Sequence, residues 1–199
     1  MSEASAGVVL AGGRSTRMGA EKALLALGDR PLIAHVAMRL RPQVGALFIN
    51  ANGDAARFAA LNCVVVADLP DASAAGPLVG VRAALAYAQS LGFSRLATAP
   101  CDAPFLPLDL VARLEAAMEA NGAPAAVAET PRGLEPMFAL WSVQARSAID
   151  DECAHGEASP RAVLDRLGAA RARFEERDDP FANVNRPADL AAAEARLKG

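Results

Sequence analysis

Lysine is nearly missing from this 199-residue chain: only Lys22 and the near-terminal Lys198 occur, and arginine supplies the other permanent side-chain cations. Lysine and arginine together number 20 against 23 acidic residues, a formal charge of −3. A chain without basic excess does not neutralise a nucleic-acid backbone, so a nucleic-acid partner is excluded and any phosphate must be held by a few placed groups. Cysteine and histidine are also scarce. Cys63, Cys101 and Cys153 are odd in number and far apart, and His35 and His155 stand alone. Neither a disulfide framework nor a clustered zinc site has the spacing it needs, which leaves reduced thiols and a cytoplasmic protein as the expectation. No apolar run is long enough to cross a bilayer, and polar Ser2-Glu3 precedes only a strand-length apolar stretch. Neither a signal peptide nor a membrane partner is expected.

What is present is the balance of a globular domain, with 53% apolar and 22% charged residues, enough to bury a core in one unit spanning residues 1–199. Short apolar runs alternate with helical stretches. Gly7 to Ala11, Ala46 to Asn50, Cys63 to Ala67 and Leu96 to Ala99 read as strands. Pro31 to Arg41 carries Leu32, Ile33, Val36, Ala37 and Leu40 at helical spacing, and Pro77 to Leu91 repeats Leu78, Val81, Leu85 and Ala88 before Gly92. Pro107 to Ala120 reads as a further helix. Strands that are continuously apolar rather than alternating belong to a sheet covered on both faces. The expectation is an α/β, doubly wound fold with a mostly parallel sheet and helices on both faces, whose ligands bind beyond the carboxyl ends of the strands. The clearest strand–helix alternation runs over residues 6–122, and residues 123–199 make up the rest of the domain. In the latter, Ala125 to Ala128, Met137 to Val143 and an edge stretch Arg171 to Glu176 read as strands, Pro160 to Leu167 and Pro187 to Leu197 as helices.

Chemistry gathers where strands end. The first runs into Leu10-Ala11-Gly12-Gly13-Arg14-Ser15-Thr16-Arg17-Met18-Gly19, with Lys22 close behind. Paired glycines let the backbone approach a ligand and turn successive N–H groups into one concavity, which suits phosphate oxygens. The loop lacks the Gly-Lys-Ser/Thr ending of a P-loop and the Gly-x-Gly-x-x-Gly of a dinucleotide turn. A glycine-rich loop that merely solvates its own charges is the competing account. Retention of one of only two lysines here favours the phosphate reading, because it suggests that a compact ammonium was needed, as expected beside a phosphate. From Arg14 to Gly19 the loop is expected to be mobile until phosphates arrive.

Pro100-Cys101-Asp102-Ala103-Pro104 follows the strand at Leu96 to Ala99. A carboxylate there can hold Mg²⁺ against triphosphate oxygens, since magnesium commonly takes one or two protein carboxylates and fills the rest with phosphate and water. The alternative is that Asp102 caps a turn or starts the next helix. Asn50-Ala51-Asn52-Gly53 and Asp68 end two further strands, and a parallel sheet brings all four clusters to one edge. Gly76-Pro77-Leu78-Val79-Gly80 opens a helix, and its glycines would permit close approach of a base or ribose. His35 lies among helix-period apolar residues, so a packed or surface histidine is expected there rather than a catalytic one.

In this order, LAGGRSTRMG with Lys22, NAN at Asn50 to Asn52, Asp68, GPLVG, PCDAP, EPMFAL and NVNRPADL resemble the molybdenum cofactor guanylyltransferases over almost the whole chain. The opening loop alone is shared with sugar-phosphate nucleotidyltransferases and molybdopterin cytidylyltransferases, whereas PCDAP with Asn183-Val184-Asn185-Arg186-Pro187 favours the guanylyl branch. The resemblance implies a Rossmann-like α/β domain and transfer of GMP from GTP to the terminal phosphate of molybdenum-loaded molybdopterin, with Mg²⁺ as cofactor. It implies GTP contacts at Leu10, Ala11, Gly12, Lys22, Asn50, Asp68 and Asp102, and Mg²⁺ on Asp102. Asn183 and Asn185 fall toward the pterin side. Molybdoenzyme-delivery or cofactor-carrier proteins are further partners of this reading. Glu135 departs from members with His before the proline of that strand, and Ser159-Pro160-Arg161 from members more basic there; both bear on the acceptor pocket.

The reaction so implied is in-line attack of an already ionised phosphate oxygen on the α-phosphorus, with loss of pyrophosphate. It needs alignment and charge neutralisation rather than a strong base. Lys22 and Arg17 would offset phosphate charge, the Gly12-Gly13 amides would cradle it, and Asp102 would carry the metal. Three alternatives stay open: the same chemistry with CTP, a sugar-1-phosphate nucleotidyltransferase, and a non-catalytic nucleotide sensor or cofactor-carrying adaptor.

Overall fold

A computed structural model describes residues 4–12, 22–70, 75–156, 159–175 and 178–198. Its main sheet contains β1 (Ala6–Leu10), β4 (Ala46–Asn50), β5 (Val64–Val66), β6 (Arg95–Pro100), β7 (Ala125–Thr130), β8 (Gly133–Ser142) and β9 (Ala170–Arg173). A small antiparallel ladder joins β2 (Ala26–Leu27) to β3 (Arg30–Pro31). The helices are α1 (Leu32–Leu40), α2 (Pro77–Ser90), α3 (Leu110–Asn121), α4 (Arg146–Ala154), α5 (Pro160–Arg166) and α6 (Pro187–Lys198).

The strand order is β5-β4-β1-β6-β8-β7-β9. All neighbours are parallel except β8, which runs antiparallel between β6 and β7. The α/β, mostly parallel sheet expected from the sequence is therefore present, with one reversed strand that apolar patterning could not reveal. β1 shows why its strands are apolar throughout. Val9 belongs to the core on the α1 side with Ile33 and Val36, while Ala6, Val8 and Leu10 belong to the core on the other face with Leu78, Val81 and Leu85 of α2. Every residue of β1 is buried, and alternate side chains feed two separate cores.

The expected helix from Pro107 begins instead at Leu110, because residues 107–109 form a turn. α4 had no counterpart in the sequence reading: its helical stripe consists of buried Ile149 and Cys153, four residues apart, in an otherwise polar segment. The edge strand expected from Arg171 to Glu176 is the shorter β9, shifted one residue earlier at its start; Glu176 lies outside the described residues. No helix among the described residues is long and apolar enough to cross a membrane.

Candidate active site

β1 and β6 are neighbours, yet the chain leaves β1 for β4 and β5 on one side before returning to β6 on the other. The strand order reverses there, and the crevice beyond the carboxyl ends of two such strands is where open α/β sheets take ligands. Backbone hydrogen bonds prolong the alignment past the strands themselves. Ala11 N donates to Asn50 O (2.9 Å), Ala51 N to Val66 O (3.2 Å) and Cys101 N to Leu10 O (3.1 Å). Leu10 to Gly12, Asn50 to Asn52, Asp68 and Asp102 thus emerge on one edge, as the sequence reading required. Gly13, Arg14 and Arg17, with the expected ordering of their loop, lie outside the described residues.

At the crevice floor the Lys22 ammonium donates to Asp102 Oδ2 and to Asn185 Oδ1. The side chains of Lys22 and Asp102 are only 11% and 15% exposed, so this ion pair is shielded from solvent more than a surface pair. Three distant stretches of chain meet in it. The third is tied down separately: Val184 N donates to Asp102 O (2.8 Å), and Asp189 Oδ2 accepts from Asn185 N (2.9 Å) and Arg186 N (2.8 Å). Pro187 begins α6 and Asp189 lies in its first turn, where a carboxylate satisfies free amides and complements the helix dipole. That is the local reason for the Asn-Arg-Pro-Ala-Asp spelling. Asn183, by contrast, is exposed, and no hydrogen bond of its side chain joins it to this cluster.

Asp102 neither caps nor starts α3, whose N-cap is Asp109. Its Oδ1 is buried without a hydrogen-bond partner among the described residues. A buried carboxylate oxygen with no partner is costly unless something cationic meets it, and a single free oxygen would suit a magnesium ion that completes its shell with phosphate and water. No group of three or more His, Cys, Asp or Glu among the described residues could hold a metal, so a cation here would rest on Asp102.

Beside this cluster lies a polar frame. Asn50 is 2% exposed, and its Nδ2 donates to Val66 O (3.0 Å) and Asp68 Oδ1 (2.9 Å). Asn52 Nδ2 donates to Asp68 Oδ2 (2.7 Å), and Asn52 Oδ1 accepts from Asp68 N (3.0 Å). Gly80, expected to open space for a base or ribose, does something else. A Cβ there would stand 2.1 Å from Asn50 Oδ1 and 2.7 Å from its Cγ, so the first turn of α2 makes room for Asn50. Gly12 approaches the same oxygen, with a Cβ position 3.2 Å away. Sequence reasoning placed Asn52 in the polar cluster without giving it a role of its own, and it missed this use of Gly80. Two asparagines two residues apart at a strand end, which extended chain turns to one side, were the available signal.

Because Asn50 is buried and doubly bonded, it cannot swing away cheaply. Gly80→Ala is expected to lower stability by about 1–3 kcal/mol, as overpacking does, and to weaken GTP binding by loosening Asp68. Chemical denaturation and a GTP titration check this, and unchanged values in both would show that Asn50 relocates without consequence.

Glu135, at the start of β8, sits on the same edge. Burial pushes its carboxyl above the usual range, against the lowering effect of Arg132, whose Nη2 lies 3.6 Å from Glu135 Oε1 and 2.5 Å from Asp179 Oδ2. A carboxyl raised on folding adds stability below its unfolded pKa and loses it as pH rises through the folded value. Glu135→Gln is therefore expected to gain stability at neutral pH relative to the parent and to lose that advantage near pH ~4. Thermal midpoints across pH ~4 to 7 test it, and an advantage constant over that window would contradict the burial effect. His35 packs as expected, with Nε2 donating to Leu27 O (2.9 Å).

A cation and a carboxylate with a free oxygen, beside Gly12 at the reversal point of a parallel sheet, make a nucleotide-handling site of the nucleotidyltransferase class. Known proteins agree. The family described as the MobA-like NTP transferase domain matches residues 7–172. A molybdenum cofactor guanylyltransferase from Cereibacter sphaeroides is 47% identical over 193 residues, covering 96% of each chain. The structure of molybdopterin-guanine dinucleotide biosynthesis protein A from Archaeoglobus fulgidus superposes with a TM-score of 0.75 at 23% identity, over 97% of this chain and 98% of that one. A 4-diphosphocytidyl-2C-methyl-D-erythritolsynthase from Anaerococcus prevotii gives a TM-score of 0.75 at 10% identity, over 99% of this chain and 97% of that one; these two structural likenesses speak for the fold alone. The chain belongs to the MobA-like NTP transferase family.

Proposed function

We propose that this protein transfers GMP from GTP to the terminal phosphate of molybdenum-loaded molybdopterin, releasing pyrophosphate and forming the guanine dinucleotide cofactor in the cytoplasm. The observation that carries the proposal is the meeting of Lys22, Asp102 and Asn185 at the sheet's reversal point, in a chain 47% identical to a guanylyltransferase. Residues 6–122 serve as the nucleotide half, with Leu10, Ala11, Gly12, Gly13, Lys22, Asn50, Asp68 and Asp102 facing GTP. Residues 123–199 form the acceptor half, reaching the first through Asn185.

An oxygen of the acceptor phosphate forms a bond to the α-phosphorus while the bond from that phosphorus to the bridging oxygen of pyrophosphate breaks. The attacking oxygen is already anionic, so no side chain need take a proton. Lys22, with Arg17, offsets charge on the α-phosphate and the leaving pyrophosphate. Amides at Gly12 and Gly13 hold phosphate oxygens in place, which converts binding into alignment. Asp102 is the residue for Mg²⁺, which when bound supplies positive charge and a Lewis acid at the phosphates. Asp68, with acceptor oxygens only, suits paired donors such as guanine N1–H and its 2-amino group; cytosine offers a ring acceptor at the corresponding place.

The test is pyrophosphate release from purified protein, Mg²⁺, molybdenum-loaded molybdopterin and either GTP or CTP. Release with GTP exceeding that with CTP, and lost on chelation of the metal, is expected. Preference for CTP would assign the cytidylyl reaction, turnover only with a sugar 1-phosphate would assign the sugar reaction, and GTP binding without release would make the protein an adaptor.

A further inference from the structure

We infer that Asn52 is a positioning residue: with Asn50 it fixes the carboxylate of Asp68 so that one acceptor position on each oxygen is left for a nucleotide with paired donors. The inference rests on the reading that Asp68 faces the nucleotide, and it assigns a role to a residue that reading leaves aside. Asn52 is exposed, yet its whole amide is committed to Asp68. Nδ2 donates to Oδ2 (2.7 Å) while Oδ1 accepts from Asp68 N (3.0 Å). These two bonds close a ring between the side chain of one residue and both the backbone and side chain of the other. Asn50 Nδ2 holds the opposite oxygen, Oδ1, at 2.9 Å. An ionised carboxylate has about four acceptor positions, so one amide donor on each oxygen consumes two and sets the plane of the other two.

The frame is itself anchored. Asn50 is confined by Gly80 and Gly12. The carbonyl of Asn52 accepts from Arg57 Nη2 (2.7 Å), and Gly53 takes the positive φ of 84° that turns the chain away after it. A residue that only shaped this turn would need neither bond to Asp68. Two ligand groups have the required donor pair, the guanine Watson–Crick edge and the ribose 2′,3′-diol, and both would meet an acceptor fixed in advance rather than a freely rotating carboxylate. Fixing it beforehand lowers the ordering cost of binding.

The experiment measures Kd for GTP and for CTP, each with Mg²⁺, by calorimetry on the full chain, with thermal midpoints alongside. The variants are Asn52→Ala, Asn52→Asp, Asp68→Ala and the double variant Asn52→Ala/Asp68→Ala. Asn52→Ala is expected to weaken GTP about tenfold, the scale of one hydrogen bond to a charged group, with an unchanged midpoint and no further loss in the Asp68→Ala background. Asn52→Asp is expected to be worse than Asn52→Ala, because it keeps an acceptor for Asp68 N–H and a good turn residue but sets a second negative charge against the carboxylate. A loss confined to GTP assigns the base as the donor pair, and an equal loss with CTP assigns the ribose; either supports the positioning role. Asn52→Asp matching the parent, or Asn52→Ala costing the same with and without Asp68, overturns it. If Asp68→Ala weakens GTP while Asn52→Ala does not, the inference alone falls. If Asp68→Ala leaves both nucleotides untouched, the nucleotide role of Asp68 falls and takes the inference with it.

Discussion

Replacing Asp102 by asparagine is expected to lower kcat by about 100-fold or more, the scale seen when a group stabilising transition-state charge is removed. An amide keeps the shape of the side chain and even one oxygen, but it removes the charge with which the buried Oδ1, unpartnered among the described residues, would seat a cation. It also takes from Lys22 the carboxylate to which its ammonium donates. Kd for GTP measured without metal should change far less than kcat, because the contacts proposed for base and ribose, at Asp68 and Asn50, are elsewhere on the edge. The Mg²⁺ concentration needed for half-maximal rate should rise steeply. Near-parental turnover at limiting Mg²⁺ would place the metal on another residue.

Lys22→Ala is expected to be the second large loss, about 100-fold in kcat/KM. Here the free protein suffers as well. Lys22 and Asp102 are mostly buried against each other, and removing the ammonium leaves a carboxylate without its cation, a cost of about 1–3 kcal/mol or more. Rates should therefore be compared well below the thermal midpoint of the variant. Lys22→Arg separates charge from shape. It restores a cation, but a broad planar guanidinium cannot take the place of one compact ammonium between Asp102 Oδ2 and Asn185 Oδ1. Its turnover should lie between those of the parent and the alanine variant, with stability closer to the parent. Full kcat and GTP affinity in Lys22→Ala would remove Lys22 from the phosphate site.

The elements most legible from the chain were those whose two faces obey one rule. β1 and β4 are apolar at successive positions because both faces are covered, and α1 carries its buried residues at helical spacing. α4 was illegible because two buried side chains, Ile149 and Cys153, are too few to mark a face. The direction of β8 was illegible for a different reason. Strand pairing is a relation between segments, and an antiparallel neighbour leaves the same apolar composition as a parallel one. Gly80 was misassigned for want of a partner: a glycine shows that room is needed, and only the fold shows that Asn50 takes it.

By itself, then, the order of residues determined the α/β class and the polar strand ends at Asn50, Asp68 and Asp102, since each depends on local periodicity or on a residue type that a short loop requires. The tertiary structure alone decided that Lys22 meets Asp102 across 80 positions and Asn185 across 163. Strand order places β6 beside β1 although two strands intervene in sequence, and the Val184–Asp102 backbone bond returns the far end of the chain to the same crevice. Contacts of that kind follow from how the sheet buries its two faces, a property of the whole chain that no segment carries alone.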